Sequence, residues 1–224
     1  MRCVIVLSGE IRDDAAARLL LSDAGLLICA DGGARHLRRL QILPDLLVGD
    51  MDSLSAPDLA WLDSQNVPFR RYPTDKEETD SELALRLVLA QLPEPRGQHE
   101  IVLLAAFGSR PDHVMANQMM AAGLAQNGWR LILADGVTTM YTLAGGQTLP
   151  LVLPAKSERS LVLSIIPAAG PVSGLHCPEG LIYPLVNAAL PIGSTRGISN
   201  RISHCQAEIS LGQGVVLVCL TPED

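Results

Sequence analysis

The sequence predicts an α/β chain in two parts. An N-terminal α/β part with a parallel sheet covered by helices on both faces spans residues 1–135, and a small antiparallel β domain, a sandwich or a barrel, spans 136–224. Three observations predict it. Short apolar runs alternate with helical stretches through the first part, the pattern of a parallel sheet covered on both faces. From residue 136 onward the runs are strand-like, separated by Gly, Pro and Ser, with no amphipathic helix between them. Acidic motifs stand at the carboxyl ends of the early runs, where open parallel sheets bind their ligands.

The elements follow in order. RCVIVL at 2–7 is a short buried run, and residues 13–22 carry Ala and Leu at helical spacing. LLICA at 26–30 is the second run, and GGARHLRRL after it reads as helix. LLVGD at 46–50 is the third, with Pro57 opening a short helix. VPFRRY at 67–72 is strand-like. Leu83, Leu85, Leu87, Val88 and Leu92 give the stretch 80–92 a broad apolar helical face. IVLLAAF at 101–107, a Met- and Ala-rich helix near 112–126, and RLILAD at 130–135 complete the first part. VTTMYTL, QTLPLVL, RSLVLSIIP and GVVLVCL are the strands expected in the second.

Bulk properties exclude several classes. With 48% hydrophobic residues, 224 residues suffice for one sizeable core or two small ones. No apolar stretch approaches the roughly 18 residues of a membrane span, and the first run is too short for a signal peptide, so a cytoplasmic protein with no membrane partner is expected. Cys3, Cys29, Cys177, Cys205 and Cys219 are odd in number and lack CxxC spacing, which argues against a disulfide framework or a zinc site. A net charge of −7 and only 3% aromatic residues argue against nucleic acid as a partner.

The acidic motifs each have a plain and a chemical reading. In GDMDS, Asp50 and Asp52 are two apart; in an extended backbone both would face one side and reach one cation, or they form a polar turn. In TDKEETDSE, Thr79 and Glu82 form a capping box, with Asp80 in the first turn. Crowding of Asp75, Glu77, Glu78, Asp80 and Glu82 would be relieved by a divalent cation, while Lys76 could contact a phosphate or neutralise a neighbour. ADGG places Asp31, Gly32 and Gly33 between strand and helix, as a tight turn or as a site where backbone N–H groups approach an anion. GSRPDH offers Arg110 as a planar phosphate fork, with Asp112 and His113 to orient it or shuttle a proton; the plain alternative is a helix cap by Asp112. In STRGISNR, Ser199 and Asn200 could hydrogen-bond a small heterocycle or lie in a loop.

In order, ADGG, PDLLVGDMDSL, YPTDKEETDSELAL, GSRPDH and GISN resemble the thiamine pyrophosphokinase family over nearly the whole chain. The resemblance implies transfer of the β,γ-pyrophosphoryl group of ATP to the hydroxyethyl oxygen of thiamine, giving thiamine diphosphate and AMP. It implies Mg²⁺ on Asp50, Asp52 and Asp80, and Arg110 and Asp112 serving the ATP phosphates. Asp31, Gly32 and Gly33 would line the nucleotide site, with Lys76 and His113 also toward ATP. Ser199 and Asn200 would meet the thiamine pyrimidine. The resemblance also implies a three-layer α/β nucleotide-binding catalytic domain followed by an all-β sandwich that binds thiamine, and a homodimer with thiamine bound near the interface. Two positions depart from the family's usual pattern: Ser109 replaces a glycine, and Arg201 stands where many bacterial members have Glu. Three rivals remain at this point: a pyrophosphokinase for another alcohol such as a hydroxymethylpterin, a binding module without catalysis, and a Mg²⁺-dependent phosphohydrolase.

Overall fold

The computed structural model describes residues 1–152, 161–203 and 206–223. Cys205, residue 153 of the expected strand 147–153, and residues 159–160 of the expected strand 159–167 lie outside the described residues. The chain divides into two compact units, Met1–Asn117 with Ile132–Val137, and Gln118–Leu131 with Thr138–Asp224.

The first unit is built on β1 (Arg2–Val6), β2 (Leu26–Ala30), β3 (Leu46–Gly49), β4 (Phe69–Arg71), β5 (Glu100–Leu104) and β6 (Arg130–Ala134), the last of which crosses into the second unit. The strand order is β4-β3-β2-β1-β5-β6, and the pairs β4–β3, β3–β2, β2–β1 and β1–β5 are all parallel. The chain therefore winds outward from β1 through β4 and then returns to pair β5 on the other side of β1. Between β1 and β5 lies the topological switch point at which open α/β sheets form their crevice.

Local signals explain the helices. Asp13 caps α1 (Asp14–Ser22) by accepting from the N–H groups of Ala15 and Ala16. Ser55 caps α3 (Ala56–Ser64), with Pro57 in its first turn, where a missing N–H costs nothing. Thr79 caps α4 (Asp80–Gln91), its Oγ1 accepting from the Glu82 N–H at 3.2 Å, as the capping-box spacing predicts. Leu83, Ala84, Leu85 and Val88 are the buried face of α4, which packs on β1, β2 and β3. Between β2 and β3 lies α2 (Ala34–Leu40), and α5 (Pro111–Gln126) follows β5. Ile5, Ile28, Leu47, Leu103 and Leu104 are fully buried, each from a different strand or strand position of this sheet.

The second unit is antiparallel. β7 (Thr139–Ala144), β13 (Gln213–Pro222), β9 (Leu161–Cys177), β12 (Gln206–Ser210) and β8 (Thr148–Val152) follow one another in space. The first part of β9 pairs β13 and the two-residue β11 (Asn200–Arg201); its later part pairs β10 (Leu185–Leu190) and β12. One core of Leu163, Ile165, Leu175, Leu190, Ile209 and Val218 fills this unit. The expected fold class holds: parallel strands with helices first, an antiparallel β region after.

Candidate active site

Parallel pairing places the carboxyl ends of β2 and β3 side by side, and with them the residues that follow, Asp31 and Asp50. The N-terminus of α4 brings Asp80 to the same place. One carboxylate oxygen from each of the three lies within 4.8 Å of the others; Asp31 and Asp50 are buried and Asp80 is half-buried. Neither Asp31 Oδ1 nor Asp80 Oδ1 has a hydrogen-bond partner among the described residues. Lys76 Nζ lies 3.1 Å from that Asp80 oxygen, an ion pair without hydrogen-bond alignment.

Electrostatics divides the trio. Loss of water pushes the Asp31 carboxyl above its ordinary range; a Ser53 hydrogen bond opposes this, and the charges of Asp80, Asp50 and Asp52 reinforce it. Asp80 is raised for the same first reason, against the pull of Lys76. Asp50 is lowered, chiefly by its hydrogen bond from Lys76 Nζ at 2.5 Å. Buried carboxylates that repel one another and keep an orphaned oxygen are costly. An all-oxygen, anionic donor set suits a hard divalent cation.

The backbone is bent to make this arrangement. Asp31 (φ +40°), Met51 (φ +73°) and Ala105 (φ +58°) are left-handed non-glycine residues just beyond the carboxyl ends of β2, β3 and β5, the kind of strain that gathers at functional sites. Gly49, at φ +151°, is where only glycine fits: a Cβ there would lie 2.9 Å from Asp31 Cβ and 3.3 Å from Asp80 Oδ1. Gly49→Ala is therefore expected to spread the trio and to lower turnover by about a hundredfold, since misplacement on the order of 1 Å has that cost. Near-normal turnover of a folded variant, judged by circular dichroism, would count against the trio.

The other expected residues of this half are placed as follows. Asp52 does not join the trio. The i, i+2 argument requires extended backbone, and Met51 turns left-handed, leaving Asp52 exposed with its carboxylate accepting from Ser53 Oγ at 3.0 Å. Gly32 and Gly33 form a buried turn and do not line the neighbouring cleft. Their backbone serves close packing, since a Cβ on Gly33 would lie 2.3 Å from the Val6 carbonyl oxygen. Lys76 points at carboxylates, not outward to an anion.

A cleft of about 290 Å³ opens beside the trio at the switch point. Ser8 and Gly9 after β1, Asp31 after β2, Asp80 on α4, Phe107–Arg110 after β5, and His113 and Asn117 on α5 line it. Arg110 and Asp112 form a two-pronged pair, Nε to Oδ1 at 3.0 Å and Nη2 to Oδ2 at 2.6 Å, which raises the one and depresses the other. Asp112 thus fixes the guanidinium at the rim of the cleft, as the GSRPDH spacing allows. Ser109 is also at this rim, with no positive φ that would demand glycine.

Comparison with known proteins accounts for both units. Residues 17–133 match the family model for the thiamin pyrophosphokinase catalytic domain. Residues 152–216 match that for the thiamin pyrophosphokinase vitamin B1 binding domain. The chain belongs to the thiamin pyrophosphokinase family. It is 27% identical over 194 residues to the thiamine pyrophosphokinase of Bacillus subtilis (strain 168), covering 86% of each chain. The crystal structure of a Bacillus subtilis thiamine pyrophosphokinase superposes with a TM-score of 0.83 at 24% identity over all of both chains. That of a Geobacillus thermodenitrificans thiamin pyrophosphokinase gives 0.79 at 25%, over 100% of this chain and 99% of the other. The family uses ATP as co-substrate, and the B1-binding domain speaks against the pterin alternative.

Thiamin pyrophosphokinase motifs in the second unit have local structural reasons. Ser199 is exposed, left-handed at φ +56°, and its N–H donates to Ser164 Oγ. Asn200 is buried and its amide is committed to backbone: Oδ1 accepts from the Tyr183 and Arg201 N–H groups, and Nδ2 donates to the Tyr183 carbonyl at 2.7 Å. The Asn200 side chain thus holds the Tyr183 turn. Asn200→Ala is expected to destabilise the protein by about 2–3 kcal/mol in urea unfolding, because three part-buried hydrogen bonds from a buried side chain to backbone are lost at once. A change under about 0.5 kcal/mol, the range of an ordinary surface substitution, contradicts that role.

Sequence reasoning missed three site features. Asp31 is the trio member it assigned elsewhere, and only strand pairing reveals its neighbours. Asn117 is one helical turn from His113, a spacing that could have flagged it; it is buried, and its Nδ2 donates to the Ala106 carbonyl at 3.2 Å. Arg35 lines the cleft and its guanidinium donates to the Ser8 and Gly9 carbonyls, fixing the loop after β1.

Proposed function

We propose that this thiamin pyrophosphokinase family enzyme binds the ATP polyphosphate in the switch-point cleft, with Mg²⁺ held by Asp31, Asp50 and Asp80. The observation that carries this is the three-carboxylate cluster, with its orphaned Asp31 oxygen, opening into the cleft through Asp31 and Asp80. Asp52, exposed on the adjoining turn, is the further carboxylate available on the solvent side. When bound, the ion would offset negative charge on the transferring phosphates. Arg110, held by Asp112, presents donors to phosphate oxygens from the rim of the same cleft, which His113 also lines. Asn117 and Arg35 keep the loops after β5 and β1 in place. Positioning and charge stabilisation supply most of the rate in phosphoryl chemistry, so these fixed groups suffice without a covalent intermediate.

The acceptor is thiamine, with Ser199 exposed in the unit that carries the B1-binding match. Ile182, Tyr183, Val186, Ile192 and Ile198 are exposed apolar residues around the same segment. They support assembly as a homodimer that brings the acceptor site to an interface. No described helix is long and apolar enough to cross a membrane, consistent with a cytoplasmic setting. The test is chromatographic: ATP, thiamine and Mg²⁺ should yield AMP and thiamine diphosphate in equal amounts, with chelation abolishing both. Phosphate release without acceptor favours the hydrolase reading, and tight thiamine binding without product favours the binding module.

A further inference from the structure

Lys76 lies on the irregular connection between β4 and α4, outside any helix or strand. Its side chain is only 12% exposed, yet it is directed inward, with Nζ 2.5 Å from Asp50 Oδ2 and 3.1 Å from Asp80 Oδ1. Those two residues belong to the trio proposed to hold the metal. An ammonium bridging two members of a carboxylate cluster does what a bound cation would do: it offsets their mutual repulsion. It does so incompletely, since the Asp80 contact is misaligned and Asp31 Oδ1 stays without a partner. A divalent ion bound by these carboxylates would compete with the ammonium for the same oxygens, and two cations at such range repel.

We infer that Lys76 is a displaceable internal cation: it occupies the carboxylate cluster when no metal is bound and is expelled when Mg²⁺ binds. The inference rests on the proposed metal role of the trio. Expulsion needs no unfolding, because the residue lies on a loop, and it frees the Lys76 ammonium beside the cleft as the metal arrives. The empty cluster and the loaded cluster are then both charge-compensated, which lets a buried acidic site persist in the metal-free protein.

Lys76 and Lys156 are the only lysines of the chain, so amine labelling reads the exchange residue by residue. The full-length protein is labelled briefly with acetic anhydride, with Mg²⁺ alone and with EDTA, and the two lysines are scored by mass spectrometry. In parallel, calorimetry measures Mg²⁺ binding to the unaltered protein and to Lys76→Met. Labelling of Lys76 is expected to rise about fivefold or more with Mg²⁺ while Lys156 is unchanged. Lys76→Met is expected to bind Mg²⁺ about tenfold more tightly, having no internal competitor. Binding of Mg²⁺ only to Lys76→Met would mean that Lys76 holds the cluster against the metal, which overturns the expulsion and leaves the metal reading intact. Binding to the unaltered protein with no change at Lys76 overturns it and leaves the metal reading intact. Binding to neither protein overturns both. If Lys76→Met does not fold, calorimetry and labelling of the unaltered protein decide.

Discussion

Asp50→Asn is expected to lower turnover by on the order of a thousandfold while leaving the protein folded, since loss of about 4 kcal/mol of transition-state charge stabilisation corresponds to three decades in rate. Asp50 is the trio member best suited to bind a cation at neutral pH. It is buried, ends β3 next to the mandatory Gly49, and is held ionised by Lys76. The amide keeps the shape and removes the charge. Asp52→Asn supplies the contrast. Its carboxylate is exposed and solvated, so a smaller loss, about tenfold, is expected. Steady-state kinetics at saturating ATP, thiamine and Mg²⁺ rank the two, and equal losses at both positions would return Asp52 to the centre of the site.

Asp31→Asn is expected to separate activity from stability. Turnover should fall by about a hundredfold or more if Asp31 holds the metal as proposed. The metal-free protein should become more stable, by about 1–3 kcal/mol, the usual cost of a buried group without a partner. Asn tolerates the left-handed backbone that residue 31 adopts, and its amide can donate to the neighbouring carboxylates. The pH dependence fixes the sign. The folded-state Asp31 carboxyl is raised above its unfolded value, so ionising it costs folding stability. That cost is absent below the ordinary carboxylate range, near pH 4, and is complete once pH has risen through the folded value. The stability gain of Asp31→Asn should therefore be seen at neutral pH without metal and vanish near pH 3. Urea unfolding at the two pH values measures it. A destabilised variant at neutral pH would mean that the Asp31 charge is compensated in the metal-free fold.

Much of the fold was legible because its signals are local. Apolar runs marked β1, β2, β3, β5 and β6. The Thr79–Glu82 spacing fixed the start of α4, and the Pro and Gly texture separated the parallel from the antiparallel region. The short strands β10 and β12 were less visible, since each is completed by pairing with distant residues of β9 and β8. The site was half legible. Asp50 and Asp80 could be picked from their motifs, and the Arg110–Asp112 pair from its spacing. Asp31 could not be joined to them by spacing, because β2 and β3 bring it there only through strand pairing. Asp52 stands apart from the trio because the i, i+2 rule assumes extended backbone, which Met51 breaks. The backbone hydrogen bonds of Asn200 were not legible, because sequence does not show which backbone groups an amide engages. At Gly32 and Gly33 sequence does not separate close packing from ligand approach, since both call for the same residue.

The measurement that bears most directly on the site is anomalous diffraction from crystals grown with Mn²⁺, a non-hydrolysable ATP analogue and thiamine. The predicted result is a metal peak about 2.0–2.2 Å from carboxylate oxygens of Asp31, Asp50 and Asp80, with the analogue's phosphates in the adjoining cleft and Lys76 no longer on Asp50. A peak elsewhere, or one bound by nucleotide oxygens alone while Lys76 still bridges Asp50 and Asp80, would contradict it.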